Sequence, residues 1–218
     1  MKIRAILFDL DGTLIDQFEP IHRSFSETLT MMGYPAPSYE EVKRAVGGAS
    51  EATMRKLIGP DRVNEAVPIQ RAIFERHMLE GVHTLPHTLD GLKKLSSAGI
   101  SSAVLTNKHG PHARVACDFL NLSTFLKFTL GANDTDWKKP DPRLTNLAIK
   151  KLGSKPEETL YVGDSPYDFE TAKNAGLSCY LVSTGTHSYS ELSRLAKGNV
   201  FKDFKSLICK ILLSLGDY

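Results

Sequence analysis

Two textures of apolar residues alternate along this chain. "IRAILFD" (3–9), "SSAVLT" (101–106), "FLKFTL" (125–130), "TLYVGD" (159–164) and "LSCYLV" (177–182) are short apolar runs that end at polar residues or glycine. Runs of that length and continuity predict strands covered on both faces. Between them the spacing becomes helical. Leu144, Leu147, Ala148 and Leu152 share one stripe, with Asp141 placed to cap it, Pro142 at its first position and Gly153 at its end. Ala113, Ala116, Cys117 and Leu120 make a second stripe. Phe204, Leu207, Ile208, Ile211, Leu212 and Leu215 make a third, which predicts a helix packed on the core.

Strands alternating with helices predict an α/β fold, a doubly wound parallel sheet of Rossmann-like type. One interval breaks the rhythm. About 90 residues separate the first strand from the second, far more than a single crossover needs. Within it, Ile21, Phe25, Leu29 and Met32, then Val42, Ala45 and Val46, repeat with helical spacing, and strand runs are scarce. The expectation is a helical domain over 16–83 inserted into a core made of 1–15 and 84–218, with "AVGGAS" (45–50) as a loop within the insert.

Composition narrows the class. The 218 residues are 41% hydrophobic and 24% charged, an ordinary globular balance, and the net charge of +2 gives no reason to expect nucleic acid or an anionic membrane. Cys117, Cys179 and Cys209 are widely spaced and read as reduced packing thiols. The opening segment reaches acids after a short apolar run, so neither a leader nor a membrane span is expected, and a cytoplasmic location follows. A monomer is the default expectation, a homodimer the alternative.

Chemistry enters with "FDLDGTL" (8–14). Residues i and i+2 of an extended chain share a face, so Asp9 and Asp11 can both face a pocket at the carboxyl end of the first strand, where open parallel sheets bind ligands. Thr106, Asn107 and Lys108 follow the second strand, Asp164 and Ser165 the fourth, with Asp168 close behind. Lys139 precedes Pro140 in the loop before the 142–152 helix. Asp9, Asp11, Asp164 and Asp168 carry four negative charges against the single charge of Lys139. Crowded carboxylates raise one another's pKa unless a cation joins them, and all-oxygen donors suit Mg²⁺ first. A metal, a lysine, a hydroxyl and paired acids suit a phosphate ester, with one carboxylate as nucleophile and the other moving protons.

In this order, "DLDGTL", a threonine ending the second strand, a lysine before proline and "GDSPYD" resemble the four motifs of the haloacid dehalogenase superfamily. "LTNK" and "GDSPYDFETAKNAG" are most similar to its phosphoglycolate phosphatase-like members. The resemblance implies Asp9 as nucleophile and Asp11 as general acid and base. It implies Thr106 and Lys139 as phosphate holders, aided by backbone N–H groups of Leu10, Asp11 and Asn107. Mg²⁺ would be held by Asp9, the Asp11 carbonyl and Asp164, while Asp168 holds a metal-bound water or orients Lys139. The implied activity is hydrolysis of a small phosphorylated metabolite through an aspartyl-phosphate, with the helical insert as a cap and its 45–50 loop near the substrate.

Competing readings of single residues are weaker than the set. "DG" is a common turn, yet a turn does not explain Asp9. Ser165 and Asp168 also fit a capping box ahead of Pro166. The "TNK" string, and Lys108 in particular, could be surface, and Lys108 is given no catalytic role. His83 and His87 straddle Pro86, which spoils a helical zinc pair. A sugar phosphomutase, a pyrophosphatase or a non-catalytic binding protein of the same fold remain the alternatives.

Overall fold

The computed structural model describes residues 3–215. In chain order its strands are β1 (Ala5–Phe8), β2 (Ile15–Asp16), β3 (His83–Thr84), β4 (Ser101–Leu105), β5 (Leu126–Leu130), β6 (Thr159–Gly163), β7 (Ser178–Val182) and β8 (Val200–Phe201). The helices are α1 (Phe18–Met31), α2 (Tyr39–Ala45), α3 (Ser50–Ile58), α4 (Val63–His77), α5 (Thr88–Ser97), α6 (Gly110–Phe119), α7 (Pro142–Leu152), α8 (Pro166–Asn174), α9 (Tyr189–Leu195) and α10 (Phe204–Ser214).

Six strands form one sheet in the order β5-β4-β1-β6-β7-β8, and every pairing in it is parallel. The order runs outward in both directions from β1, which is the doubly wound pattern expected from the alternating textures. Ala5, Ile6, Leu7 and Phe8 are all buried because β1 sits mid-sheet with both faces covered. One face packs a cluster including Ile6, Phe8, Val104, Phe204, Leu207 and Ile211. The other packs Leu7, Leu105, Leu144, Ala148 and Tyr161. The C-terminal stripe is therefore core, as its spacing predicts.

Helix α7 begins and ends where its sequence signals lie. The Asp141 carboxylate accepts from the Arg143 N–H at 2.9 Å, and Gly153 closes the helix in the left-handed region. Short β2 and β3 pair antiparallel, and α1–α4 fall between them in the chain. These four helices bury a cluster of their own, including Phe18, Phe25, Leu29, Val42, Met54 and Phe74. Neither short ribbon strand nor β8 stands out in the sequence, since two residues carry no periodicity. Cys117 and Cys179 are buried as expected of packing thiols; Cys209 is exposed on α10 instead. No helix among the described residues is long and apolar enough to cross a membrane.

Candidate active site

β4, β1 and β6 are neighbours, so the residues following each strand arrive at one edge of the sheet. A cleft with about 700 Å³ of space, open mouth included, is lined there by Asp9, Asp11, Thr106, Asn107, Lys108, Asp164 and Ser165. Across from them, α1, α4 and the 45–50 loop contribute Phe25, Gly47, Gly48, Arg71 and Phe74. Residues far apart in sequence are thus gathered for a simple reason: in a parallel sheet, every carboxyl end points the same way.

The chain turns sharply after Asp11. The Gly12 N–H donates to the Ile15 carbonyl at 2.8 Å, and Gly12 takes φ +82°. A side chain at residue 12 would meet the conformational barrier of that region. Its Cβ would also lie 2.8 Å from Asp164 Oδ2 and from the Gly185 backbone. Gly185, in the loop after β7, is as constrained: a Cβ there would fall 2.0 Å from the same oxygen. The two glycines let the first strand's turn and the β7 loop close around Asp164.

Asp164 is almost fully buried. Its Oδ2 accepts from the Thr186 N–H at 2.7 Å and the Thr186 hydroxyl at 2.9 Å, while Oδ1 receives only a long contact of 3.4 Å from the Thr13 hydroxyl. Burial, then the charges of Asp168 and Asp9, push its carboxyl up to about 8. Asp9 is pushed up to about 6, chiefly by burial, against the opposing pull of the Lys139 ammonium.

Lys139 lies behind Asp9 with its side chain fully enclosed. Its Nζ is 3.0 Å from Asp9 Oδ1, 2.8 Å from Asp168 Oδ1 and 3.1 Å from the Tyr161 hydroxyl. Flanking carboxylates outweigh burial and hold the ammonium above its ordinary pKa. Its backbone is tied to Asn107: the Lys139 N–H donates to Asn107 Oδ1, and Asn107 Nδ2 donates to the carbonyls of Lys139 and Gly47. Asn107 thereby joins the core loops to the 45–50 loop.

Asp168 uses both oxygens. Oδ1 takes Lys139 and the Tyr161 hydroxyl, and Oδ2 accepts from the N–H groups of Asp164 and Ser165 and from the Ser165 hydroxyl. Cap and lysine-holder are one residue, because α8 starts directly behind the site. Leu10, the residue between the two acids, is fully buried, and its backbone hydrogen bond lowers the Asp9 pKa.

Lys108 corrects the sequence reading. Far from being on the surface, its side chain is 7% exposed. Nζ lies 3.2 and 3.1 Å from the two oxygens of Asp11 and 4.6 Å from the centre of the Phe74 ring. Nothing in "TNK" distinguishes a lysine covered by a distant helix from one in solvent. Tyr161, Thr186, Arg71, His109 and His112 were also hidden from sequence reasoning. Tyr161 reads as an ordinary strand aromatic, and the others join the site only through folding.

The donor set fits a hard divalent cation. Asp9, Asp164 and Asp168 each offer an oxygen within 4.8 Å of the others. Among the described residues, Lys139 is the cation paired with them. Asp9 Oδ1 is buried and lacks a hydrogen bond of good alignment despite the nearby ammonium. Excess buried negative charge with oxygen capacity on Asp9 and Asp164 is what a magnesium-sized ion would relieve.

A doubly wound α/β core that gathers carboxylates at the carboxyl ends of its central strands can hold a divalent cation beside an anionic ligand. The chain belongs to the haloacid dehalogenase-like hydrolase family, whose pattern it matches over residues 6–182. It is similar to the phosphoglycolate phosphatase of Aquifex aeolicus, with 34% identity over 190 residues, 84% of this chain and 86% of that one. To the phosphoglycolate phosphatase of Salmonella choleraesuis it is 30% identical over an alignment 226 positions long, which covers 93% of this chain and 89% of the other. In fold it matches a solved hydrolase, a haloacid dehalogenase-like family protein from Streptococcus pneumoniae, with a TM-score of 0.86 at 23% identity, covering 97% and 98% of the two chains. The family read from the four motifs is borne out.

Proposed function

We propose that this hydrolase is a phosphatase of small phosphate monoesters, with phosphoglycolate as the leading substrate and Mg²⁺ as the metal. The observation that carries the reading is the meeting of Asp9, Asp11, Thr106 and Asp164 in one cleft, with Lys139 directly behind. The curated relatives of matching length supply the substrate.

Asp9 attacks phosphorus, forming an acyl phosphate as the ester oxygen leaves. Asp11, two residues on and facing the same cleft, donates a proton to that oxygen. It then takes a proton from the water that attacks phospho-Asp9, which restores Asp9 and releases phosphate. Thr106 and the N–H groups of Leu10, Asp11 and Asn107 hold the equatorial oxygens, and Lys139 adds positive charge from below. Asp9, Asp164 and the Asp11 carbonyl would hold the metal, which supplies charge neutralisation between carboxylate and phosphate. Asp168, with both oxygens engaged, positions Lys139. The helices of residues 16–83 act as a cap that excludes water and shapes the leaving-group space.

The test is phosphate release by the purified protein from a panel of monoesters, with Mg²⁺ and with EDTA. Turnover of phosphoglycolate that disappears in chelator is the expected result. Release of phosphate from no ester overturns the reading, and isomerised sugar phosphate without free phosphate would make it a mutase.

A further inference from the structure

The cleft has a second wall, contributed by the cap and the start of α6, and most of its polar groups are already engaged. Gln70 Nε2 donates to the Ser24 hydroxyl at 2.8 Å, and His112 Nε2 lies 2.9 Å from a Glu75 carboxylate oxygen. Lys108 is held by Asp11. Two groups differ. Arg71 Nε and His109 Nδ1 are both buried with no hydrogen-bond partner, and both residues line the cleft. Leaving such nitrogens unpaired is costly, so a ligand that satisfies them gains what the free protein forgoes.

Their chemistry limits the ligand. Arg71 has one edge near Glu51, with Nη2 to Oε1 at 3.6 Å; its side chain is 34% exposed, so a small rotation would present the unpaired Nε edge to an acceptor in the cleft. A guanidinium edge grips a planar or tetrahedral oxyanion with two bonds. Burial, the neighbouring His112 and the Arg71 charge lower the His109 pKa to about 4, so its ring is neutral and can donate from Nδ1. The phosphoryl group already has Thr106, the backbone donors and Lys139. Arg71 and His109 line the same cleft and are not among those donors.

We propose that Arg71 and His109 select the substrate by binding a second anionic group, carried on the part of the molecule that leaves. This rests on the phosphatase reading above and extends it to the residues that recognise the charge on the leaving group. Neutral polyol leaving groups cannot satisfy Arg71 in the same way.

The experiment compares kcat/KM of the wild type, Arg71→Gln and His109→Phe on phosphoglycolate, inorganic pyrophosphate and glycerol 3-phosphate. Thermal melts check that each variant is folded. The quantity read is the ratio of each anionic substrate to glycerol 3-phosphate within one protein, so a general loss of activity cancels. Arg71→Gln should lower that ratio by about 10- to 100-fold, mostly through KM, because the distal charge is the same in ground and transition states. His109→Phe should lower it less. A fall for phosphoglycolate assigns the subsite to a carboxylate, and a fall for pyrophosphate to a second phosphoryl group; either supports the proposal. Ratios within about threefold of wild type in Arg71→Gln, or a wild type that favours the neutral ester, overturn it. Absence of phosphate release from every ester by the wild type instead removes the phosphatase reading on which it stands.

Discussion

Asp168 offers the sharpest test of how this site is built. Replacing it with asparagine keeps the shape and removes one buried charge. In the native protein one oxygen faces an ammonium at 2.8 Å and a hydroxyl at 3.2 Å, and the other faces two backbone N–H groups and the Ser165 hydroxyl at 3.1, 3.1 and 2.6 Å. An asparagine can satisfy one set only. In either orientation its NH₂ points at donors. Lys139 keeps Asp9 as a counter-ion, so the loss is partial on the charge side, yet buried donors are left without acceptors. Breaking one partner of a buried pair costs about 3–5 kcal/mol. That is a fifth or more of the roughly 5–15 kcal/mol by which a domain is ordinarily stable. Urea unfolding of the metal-free protein measures it. With m near 2–3 kcal/mol/M, the midpoint of Asp168→Asn should fall by roughly 1–2.5 M at unchanged m. A fall below about 0.3 M would refute the assignment of Asp168 as the group that holds Lys139 and the start of α8.

Three other outcomes follow from the same geometry. Asp9→Asn should lower turnover of an aryl phosphate by at least about 10³-fold with an unchanged circular dichroism spectrum, and substantial residual turnover would remove Asp9 as nucleophile. Lys108→Met keeps a long side chain against Phe74 but frees Asp11; kcat should drop about tenfold in steady-state assays, and an unchanged kcat would make Lys108 a bystander. Asp9 and Asp164 have folded pKa values of about 6 and 8, above the ordinary 3.8, so in EDTA their contribution to stability is full below about pH 4 and is lost as pH rises through those values. The Tm of the metal-free protein should therefore decline from pH 5 to 8, and added Mg²⁺ should raise it most at the alkaline end. A flat or rising Tm in EDTA would contradict the crowding of these carboxylates.

Much of this protein is written in local sequence. The strand runs, the Asp141–Gly153 helix signals and the C-terminal stripe each depend on neighbours within a few turns, so period and punctuation suffice to read them. The acids at 9, 11, 164 and 168 were legible for a related reason. Carboxylates placed next to buried strands have few other uses, and parallel strands deliver their carboxyl ends to one edge. What only the tertiary structure decided is which partner each group meets. Lys108 could have been a solvated lysine until α4 laid Phe74 over it and the turn after β1 supplied Asp11. Tyr161 becomes a partner of Lys139 because the loop before α7 carries Nζ to the hydroxyl of a residue on β6. Asp168 becomes the counter-ion of Lys139, and Arg71 and His109 are left with buried unpaired nitrogens, by packing between segments tens of residues apart. Sequence periodicity reports which face of an element is buried. It does not report what lies against that face, and for a charged group that neighbour sets its pKa, its hydrogen bonds and its chemistry.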